Sequence, residues 1–291
     1  MEINASCEAC MLKREYERIG KLENKKLAKQ YTGDIHKILA DRCPDDSAPY
    51  IKYLFDKRFV ELFGRDTEFS QIKRHYNDLV MKIEDSIENE INSSDDPLRS
   101  ALIFSRIGNY IDFSAQTDVS EKEFLSLFDN ERLNHIPEDT YDKFVKKCNE
   151  GRNFLILCDN CGEIVLDKIL LRVIHRYFPN LKLYAMVRGA ETLNDATMED
   201  ALYCGIDAEA CVITNGAAVA ATIPALLSEE AKNIMESADI ILAKGQGNYE
   251  GLSGSGYLLD NIFYLFLCKC ELFTARFNVP KFTGMFITED M

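Results

Sequence analysis

Long apolar runs are missing from this chain. The most apolar stretch, around Leu258 to Cys268, is interrupted by Asp260 and Asn261 and is too short to cross a bilayer. Positive charge is scarce as well. Lys and Arg number 34 against 48 Asp and Glu, for a formal net charge of −14. Nucleic-acid backbones need a basic face, and so do anionic membrane surfaces, so neither partner is expected. Met1 to Cys10 has no cationic n-region and no apolar h-region, so no export signal is expected. Ten cysteines without such a signal point to reduced thiols in the cytoplasm. Trp is absent, which carries no functional message.

Several catalytic signatures are absent too. His36, His75, His135 and His175 fall in no metal-ligand spacing. Gly251-Leu252-Ser253-Gly254-Ser255 does not supply the Gly-x-Ser-x-Gly of a serine hydrolase. Lys244 precedes Gly245 and Gly247 instead of following them, which rules out a Walker A loop. Glu250 stands where the dinucleotide fingerprint needs its third glycine. Asp159 is followed by Asn160 and Cys161, so the Asp-x-Asp of haloacid-dehalogenase-type phosphatases is missing.

What remains is a soluble globular composition, 46% apolar and 28% charged, in a chain of 291 residues. That length allows one large domain, or a catalytic domain with a satellite. Residues 1–150 read as helical. Leu12 to Tyr31, Tyr50 to Phe63, Phe69 to Ile91, Leu98 to Tyr110, Glu121 to Phe128 and Pro137 to Cys148 carry the helical signals. Asn92 to Pro97 is a breaker cluster between two of them. Residues 151–291 change period. Short apolar runs at 154–158, 181–187, 211–214, 239–243 and 262–268 alternate with helical segments, notably 164–177 and 196–204. That alternation predicts an α/β fold with a parallel sheet covered on both faces.

Ligands of an open parallel sheet bind beyond the carboxyl ends of its strands. Here those ends read Asp159-Asn160, Arg188-Gly189, Asn215-Gly216, Lys244-Gly245 and Lys269-Cys270. Asp159 and Asn160 offer two hard oxygens, the kind that Mg²⁺ and Mn²⁺ take together with water and phosphate. Asn160 and Glu163 also have the spacing of a capping box, and a cap can hold a metal too. Asp195 could cap the next helix or converge on the same cation. Lys244, followed by Gly245 and Gly247, reads as a phosphate cradle or as a glycine-rich turn with a solvated lysine. Cys7-x-x-Cys10 and Cys158-x-x-Cys161 are too far apart to suggest one structural zinc. Cys7 and Cys10 keep a metal or redox reading of their own.

The ordered set Cys7-x-x-Cys10, Gly108-Asn109-Tyr110-Ile111-Asp112-Phe113, Asp159-Asn160-x-Gly162-Glu163, Leu193-Asn194-Asp195-Ala196-Thr197-x-Glu199-Asp200, Lys244-Gly245-x-Gly247-Asn248-x-Glu250 and Lys269-Cys270 runs through nearly the whole chain. On these motifs the chain resembles the metal-dependent damage-control phosphatases, in their short stand-alone prokaryotic branch. The resemblance implies a helical N-terminal region on a three-layer α/β/α domain with a mainly parallel sheet. It implies a phosphomonoesterase dependent on Mn²⁺ or Ni²⁺, with Mg²⁺ and Co²⁺ as alternatives. Its substrates would be small phosphate esters, such as sugar phosphates and damaged or side-product metabolites. Asp159, Asn160 and Asp195 match the family's metal ligands. Lys244, Asn248 and Lys269 match its phosphate pocket, with Gly245 and Glu163 beside them. Asn109 and Asp112 match a motif that reaches toward the site from the helical region. Cys161 stands where many relatives have Ala, which exposes the site to oxidation or thiophilic metals.

The implied mechanism places Asp159 and Lys244 at the reaction. The nucleophile is then either a water activated at the cation or Asp159 itself. A rival reading is a sensor that binds a phosphometabolite or nucleotide without turnover. A methyltransferase using S-adenosylmethionine fits less well, because its glycine loop should follow the first strand and its acid the second.

Overall fold

The computed structural model describes residues 3–64, 69–108, 135–254 and 261–289. Among the described residues the helices that come first are α1 (Ala5–Gly20), α2 (Lys25–Ala40), α3 (Ala48–Phe63), α4 (Ser70–Met81), α5 (Glu84–Ser93), α6 (Pro97–Ile107) and α7 (Glu138–Glu150). Two apolar patterns that read as continuous split in two. Leu12–Tyr31 breaks where the Asn24 side chain accepts from Leu27 N at 3.1 Å and starts α2. Phe69–Ile91 breaks at Lys82–Ile83, between α4 and α5. The breaker cluster works as expected. Asp96 caps α6 by accepting from Arg99 N at 3.0 Å, and Pro97 takes the first helical position.

The sheet half runs β1 (Asn153–Leu157), α8 (Glu163–Tyr177), β2 (Lys182–Val187), α9 (Met198–Cys204), β3 (Cys211–Thr214), α10 (Glu229–Ser237), β4 (Ile240–Lys244), α11 (Gly245–Leu252), β5 (Ile262–Leu267), α12 (Glu271–Phe277) and β6 (Gly284–Thr288). The strand order is β3-β2-β1-β4-β5-β6. The first five strands are parallel, and β6 closes one edge antiparallel to β5. This is the expected α/β fold with a mainly parallel sheet. β6 has no counterpart in the sequence reading. It is a five-residue edge strand whose apolar stretch, Met285-Phe286-Ile287, is short.

One core cluster packs α4–α8 against one face of the sheet. A second fills the opposite face under α10, α11 and α12. A third core, built on Tyr31, Ile35, Ile51, Phe55 and Phe59, belongs to α1, α2 and α3. Those three helices reach the strand ends through Tyr50 and Tyr53 of α3, which pack on Val219, Ala221 and Ile223. The chain goes from β1 outward to β2 and β3, then returns to the other side of β1 with β4. The crevice between the carboxyl ends of β1 and β4 is thus the topological switch point, where open α/β sheets bind ligands. No helix among the described residues is long and apolar enough to cross a membrane.

Candidate active site

Asp159 and Asn160 leave β1 at the switch point, and the segment after β2 is stitched onto them. Ala196 N donates to Asp159 O at 2.8 Å, and Cys161 N donates to Asn194 O at 2.9 Å. Asn160 and Asp195 pair as an isolated antiparallel bridge. Leu193, just before, holds φ at +47°, a left-handed conformation that a leucine adopts only where its surroundings enforce it. Backbone pairing therefore brings the three expected oxygen donors together. Asp195 caps no helix: the N-cap of α9 is Thr197, which forms a capping box with Asp200.

Arg188, at the end of β2, is the residue that sequence reasoning missed. It is 1% exposed. Its Nε donates to Asp195 Oδ2 at 2.6 Å, its Nη2 to Asp159 Oδ1 at 3.2 Å and its Nη1 to Asn248 Oδ1 at 3.1 Å. An arginine directly after a buried strand, level with two acids on neighbouring strand ends, was the available signal. Even with this guanidinium between them, the acids are short of positive charge. Burial, then Asp195 and Glu163, push the Asp159 carboxyl up to about 7. Asp195 is also raised, chiefly by burial.

Lys244 does not stand where a phosphate contact should. Its ammonium is wholly buried. It donates to Glu163 Oε1 at 2.7 Å, Asp167 Oδ1 at 2.6 Å and the Ser105 carbonyl at 3.1 Å. Burial opposes its charge, but Asp167 and Glu163 outweigh that and hold its pKa above the usual lysine value. An ammonium has three donors, and all are taken. Two buried carboxylates on α8 outbid the crevice for this cation. Glu163 is likewise turned inward, with Oε2 accepting from Asn160 Nδ2 at 3.3 Å. Asn248 is a buried strut. Its Nδ2 donates to Lys244 O at 2.6 Å and Leu157 O at 3.2 Å, and its Oδ1 accepts from Thr222 Oγ1 at 2.9 Å as well as from Arg188. The expected contacts of Lys244, Glu163 and Asn248 with a phosphate are therefore not made by the side chains as they stand.

Gly245 lies against Asp159, and the half-buried Lys269 acts on the same carboxylate through its charge. The positive charge of Lys269 lowers the Asp159 pKa against burial, which places it near that carboxylate. Its backbone N donates to Gln246 Oε1 at 3.1 Å. Gly245 has φ +77°, and a Cβ there would stand 1.9 Å from Asp159 Oδ2. The glycines after Lys244 do not form a loop; they open α11, and Gly247 and Gly251 let that helix lie against the 220 and 222 carbonyls. Gly245→Ala should therefore displace Asp159, at a stability cost of about 1–3 kcal/mol for the strained backbone. Titration calorimetry with Mn²⁺ checks this, since weaker binding than wild type is expected. Unchanged affinity would show that the Gly245–Asp159 contact does not shape the site.

Asn109 and Asp112 lie outside the described residues. Their neighbour Gly108 is described. A Cβ there would meet Leu166 Cδ1 at 2.7 Å and Glu163 Cα at 3.1 Å, so the end of α6 lies directly on α8. A cavity of about 380 Å³ opens at Gly189, one residue from Arg188. Lys73 and Arg74 of α4, Glu191, Thr197 and Tyr203 help to line it. Lys73 is already paired with Asp200 at 2.6 Å, so the cavity offers polar groups of both signs but no buried unpaired lysine.

Asp159, Asn160 and Asp195 suit a small divalent cation by donor chemistry. They are two carboxylates and an amide, the buried acids already draw in one positive group, and Asp159 still holds its proton too tightly for an isolated acid. Among the described residues no three His, Cys, Asp or Glu side chains stand at metal-binding spacing. The protein's third oxygen would be Asn160 Oδ1, which here accepts from Asn194 Nδ2 at 2.7 Å. Water and substrate would complete the set, as Mg²⁺-type sites prefer.

The chain is similar throughout its length to proteins of known family. Residues 3–283 match the model of the damage-control phosphatase ARMT1-like domain. A damage-control phosphatase of Archaeoglobus fulgidus is 31% identical over 277 residues, covering 93% of each chain. A second, from Pyrococcus horikoshii, is 29% identical over 249 residues, covering 84% of this chain and 83% of the relative. The crystal structure of a DUF89 family protein from Pyrococcus horikoshii superposes over 100% of both chains, with a TM-score of 0.84 and 25% identity.

Proposed function

The chain belongs to the damage-control phosphatase ARMT1-like family, and from that membership we propose that it is a divalent-metal-dependent phosphomonoesterase acting on small phosphate esters. Sugar phosphates and side-product phosphometabolites are the substrate class we favour. One observation carries the reading: at the switch point, backbone pairing brings Asp159, Asn160 and Asp195 together, with the charge of Lys269 felt at Asp159.

In the proposed site Asp159, Asn160 and Asp195 would hold the cation, with Mn²⁺ or Ni²⁺ preferred over Mg²⁺ or Co²⁺. When bound, such a cation supplies Lewis-acid polarisation of a phosphoryl oxygen. Arg188 holds the two carboxylates in place from behind and keeps the segment after β2 docked on β1. Lys269 draws the phosphate in and offsets the charge that builds on its oxygens in the transition state. The N–H groups opening α11 at Gly245 point the positive end of that helix at the same anion. Lys244 acts indirectly, as the counter-ion that keeps Glu163 beside Asn160. The polar cavity at Gly189 is the place for the group that leaves with its own oxygen. Its mixed lining suits a neutral, hydroxyl-rich moiety better than a second anion.

The test is phosphate release from a panel of sugar phosphates and p-nitrophenyl phosphate by metal-stripped protein, with Mg²⁺, Mn²⁺, Ni²⁺ or Co²⁺ returned one at a time. Release that requires the metal supports the proposal. Binding of the same cation at about 100 times its dissociation constant should also stabilise the fold by about 2.7 kcal/mol, seen as a rise in Tm. A folded sample that releases nothing with any metal would overturn the phosphatase reading and favour a phosphometabolite sensor.

A further inference from the structure

Helix α4 carries an amide that reaches both strand-end segments of the candidate site. Asn77 lies within α4 and is wholly buried. Asparagine is a poor residue for a helix interior, and a buried amide needs partners at both of its ends. Both partners belong to the sheet half. Asn77 Oδ1 accepts from Gly162 N at 2.7 Å, and its Nδ2 donates to Asp200 Oδ1 at 3.4 Å. Gly162 holds φ at +79° and turns the chain from Asp159 and Asn160 into α8. Its N–H precedes that helix, so the helix's own ladder does not use it. Asp200 stands behind the other donor. Its Oδ2 accepts from Thr197 N at 2.9 Å and from Thr197 Oγ1 at 2.7 Å, two residues after Asp195. Lys73 Nζ reaches the same oxygen at 2.6 Å. Lys73 and Asn77 are four apart and so share one face of α4. The two segments already touch through Ala196 N and Asp159 O, and Asn77 ties them a second time from outside.

We propose that Asn77 is a positioning residue of the metal site: its amide fixes the turn at Gly162 against Asp200, and thereby sets how far Asp159 and Asn160 stand from Asp195. The inference rests on the metal reading above, in which Asn77 is not itself a ligand.

Three donors from two segments hold a small cation tightly only when their separation is fixed before it arrives. Otherwise part of the binding free energy goes into ordering them. The amide suits this task because its ends differ: the oxygen accepts from the first segment and the nitrogen donates to the second.

Calorimetric titration of metal-stripped, full-length protein with Mn²⁺ tests this, together with hydrogen exchange at the Gly162 amide of the same metal-free samples. Asn77→Leu keeps the volume and removes both bonds. It should bind Mn²⁺ about 10–100-fold more weakly, the usual cost of losing an outer partner of a metal site. Its Gly162 amide should exchange faster. Asn77→Asp keeps an acceptor for Gly162 but sets a second carboxylate against Asp200, so it should also bind more weakly. Adding Asp200→Asn to it exchanges donor and acceptor, keeps the wild-type net charge and leaves Lys73 a carboxylate one turn away. This double variant should recover most of the lost affinity and the slow exchange. If Asn77→Leu does not fold, Asn77→Asp and the double variant carry the same comparison. Ile91→Ala, in the buried face of α5, is the control for lost stability alone: Tm should fall with the Mn²⁺ affinity of wild type.

The proposal is overturned if Asn77→Leu binds Mn²⁺ as wild type does, if Ile91→Ala weakens binding as much, or if the double variant is no better than Asn77→Asp. Wild-type protein that binds Mn²⁺ but releases no phosphate ends the phosphatase reading, and the titrations still decide the role of Asn77. Wild-type protein that binds no cation ends the metal reading, and this inference with it.

Discussion

Asp159→Ala should abolish metal-dependent phosphate release while leaving the protein folded. The loss expected in kcat/KM is about 10³-fold or more, since removing even a single transition-state donor costs about 10²–10³-fold. Asp159 combines three features on one side chain. It ends β1 at the switch point, it receives Arg188 Nη2 at 3.2 Å, and burial with two neighbouring acids pushes its pKa up to about 7. Such a carboxylate is costly to keep charged without a cation nearby. Its removal should therefore cost little stability in the metal-free protein, because Arg188 keeps Asp195 and Asn248 as partners. The metal-dependent rise in Tm should shrink or vanish in the same variant. Wild-type turnover in Asp159→Ala would remove the carboxylate from the site. Lost turnover with an undiminished metal response would move the cation elsewhere and leave Asp159 a role in substrate binding alone.

The sheet was legible because buried parallel strands are apolar on both faces. All five runs identified in the sequence became parallel strands with ends displaced by at most one residue at either terminus. β6 was not read, although its run Met285-Phe286-Ile287 is as apolar as that of β3, the other edge strand; unlike β3 it joins the sheet antiparallel. The break between α1 and α2 did carry signals, the Gly20 stop and the Asn24 cap, but the apolar period on either side runs across them and hid them. The residues proposed to hold the metal, Asp159, Asn160 and Asp195, were picked out by residue type and strand position together, and backbone pairing brings them to one strand-end crevice. The cations were not. Lys244, Arg188 and Lys269 all end β strands or lie just beyond them, and sequence position alone treats them alike. What separates them is which carboxylates the adjoining helix turns inward. Glu163 and Asp167 stand four apart on α8, so both face β4 and claim Lys244. Asp159 and Asp195 come from different strand ends and claim Arg188. Among the described residues no such pair of carboxylates claims Lys269, which is why it is the cation we assign to the substrate in the proposed site.

That distinction makes Lys244→Met the second decisive variant. Methionine keeps most of the volume and removes the charge. Glu163 and Asp167 would then face each other inside the protein with no counter-ion, and Asp167 Oδ2 already lacks a hydrogen-bond partner. Breaking a buried ion pair from one side costs about 3–5 kcal/mol. For a chain of this size that is a fall in Tm of roughly 10 °C, at about 2–4 °C per kcal/mol. Acid should partly rescue the variant, since burial raises the pKa of Asp167 even in the intact network and protonation removes the unpaired charge. The sign follows from linkage: a carboxyl with a raised folded-state pKa binds its proton more tightly when folded, so stability is gained as pH falls toward that pKa. A triple variant, Lys244→Met with Glu163→Gln and Asp167→Asn, should recover much of the lost Tm because no buried charge is left alone. A phosphate-binding lysine would behave otherwise. Its loss would raise KM and lower kcat with Tm unchanged, and neither acid nor the paired amides would restore anything. Thermal denaturation of the single and triple variants between pH 5 and 8 therefore separates a lysine that builds the site from one that touches the substrate.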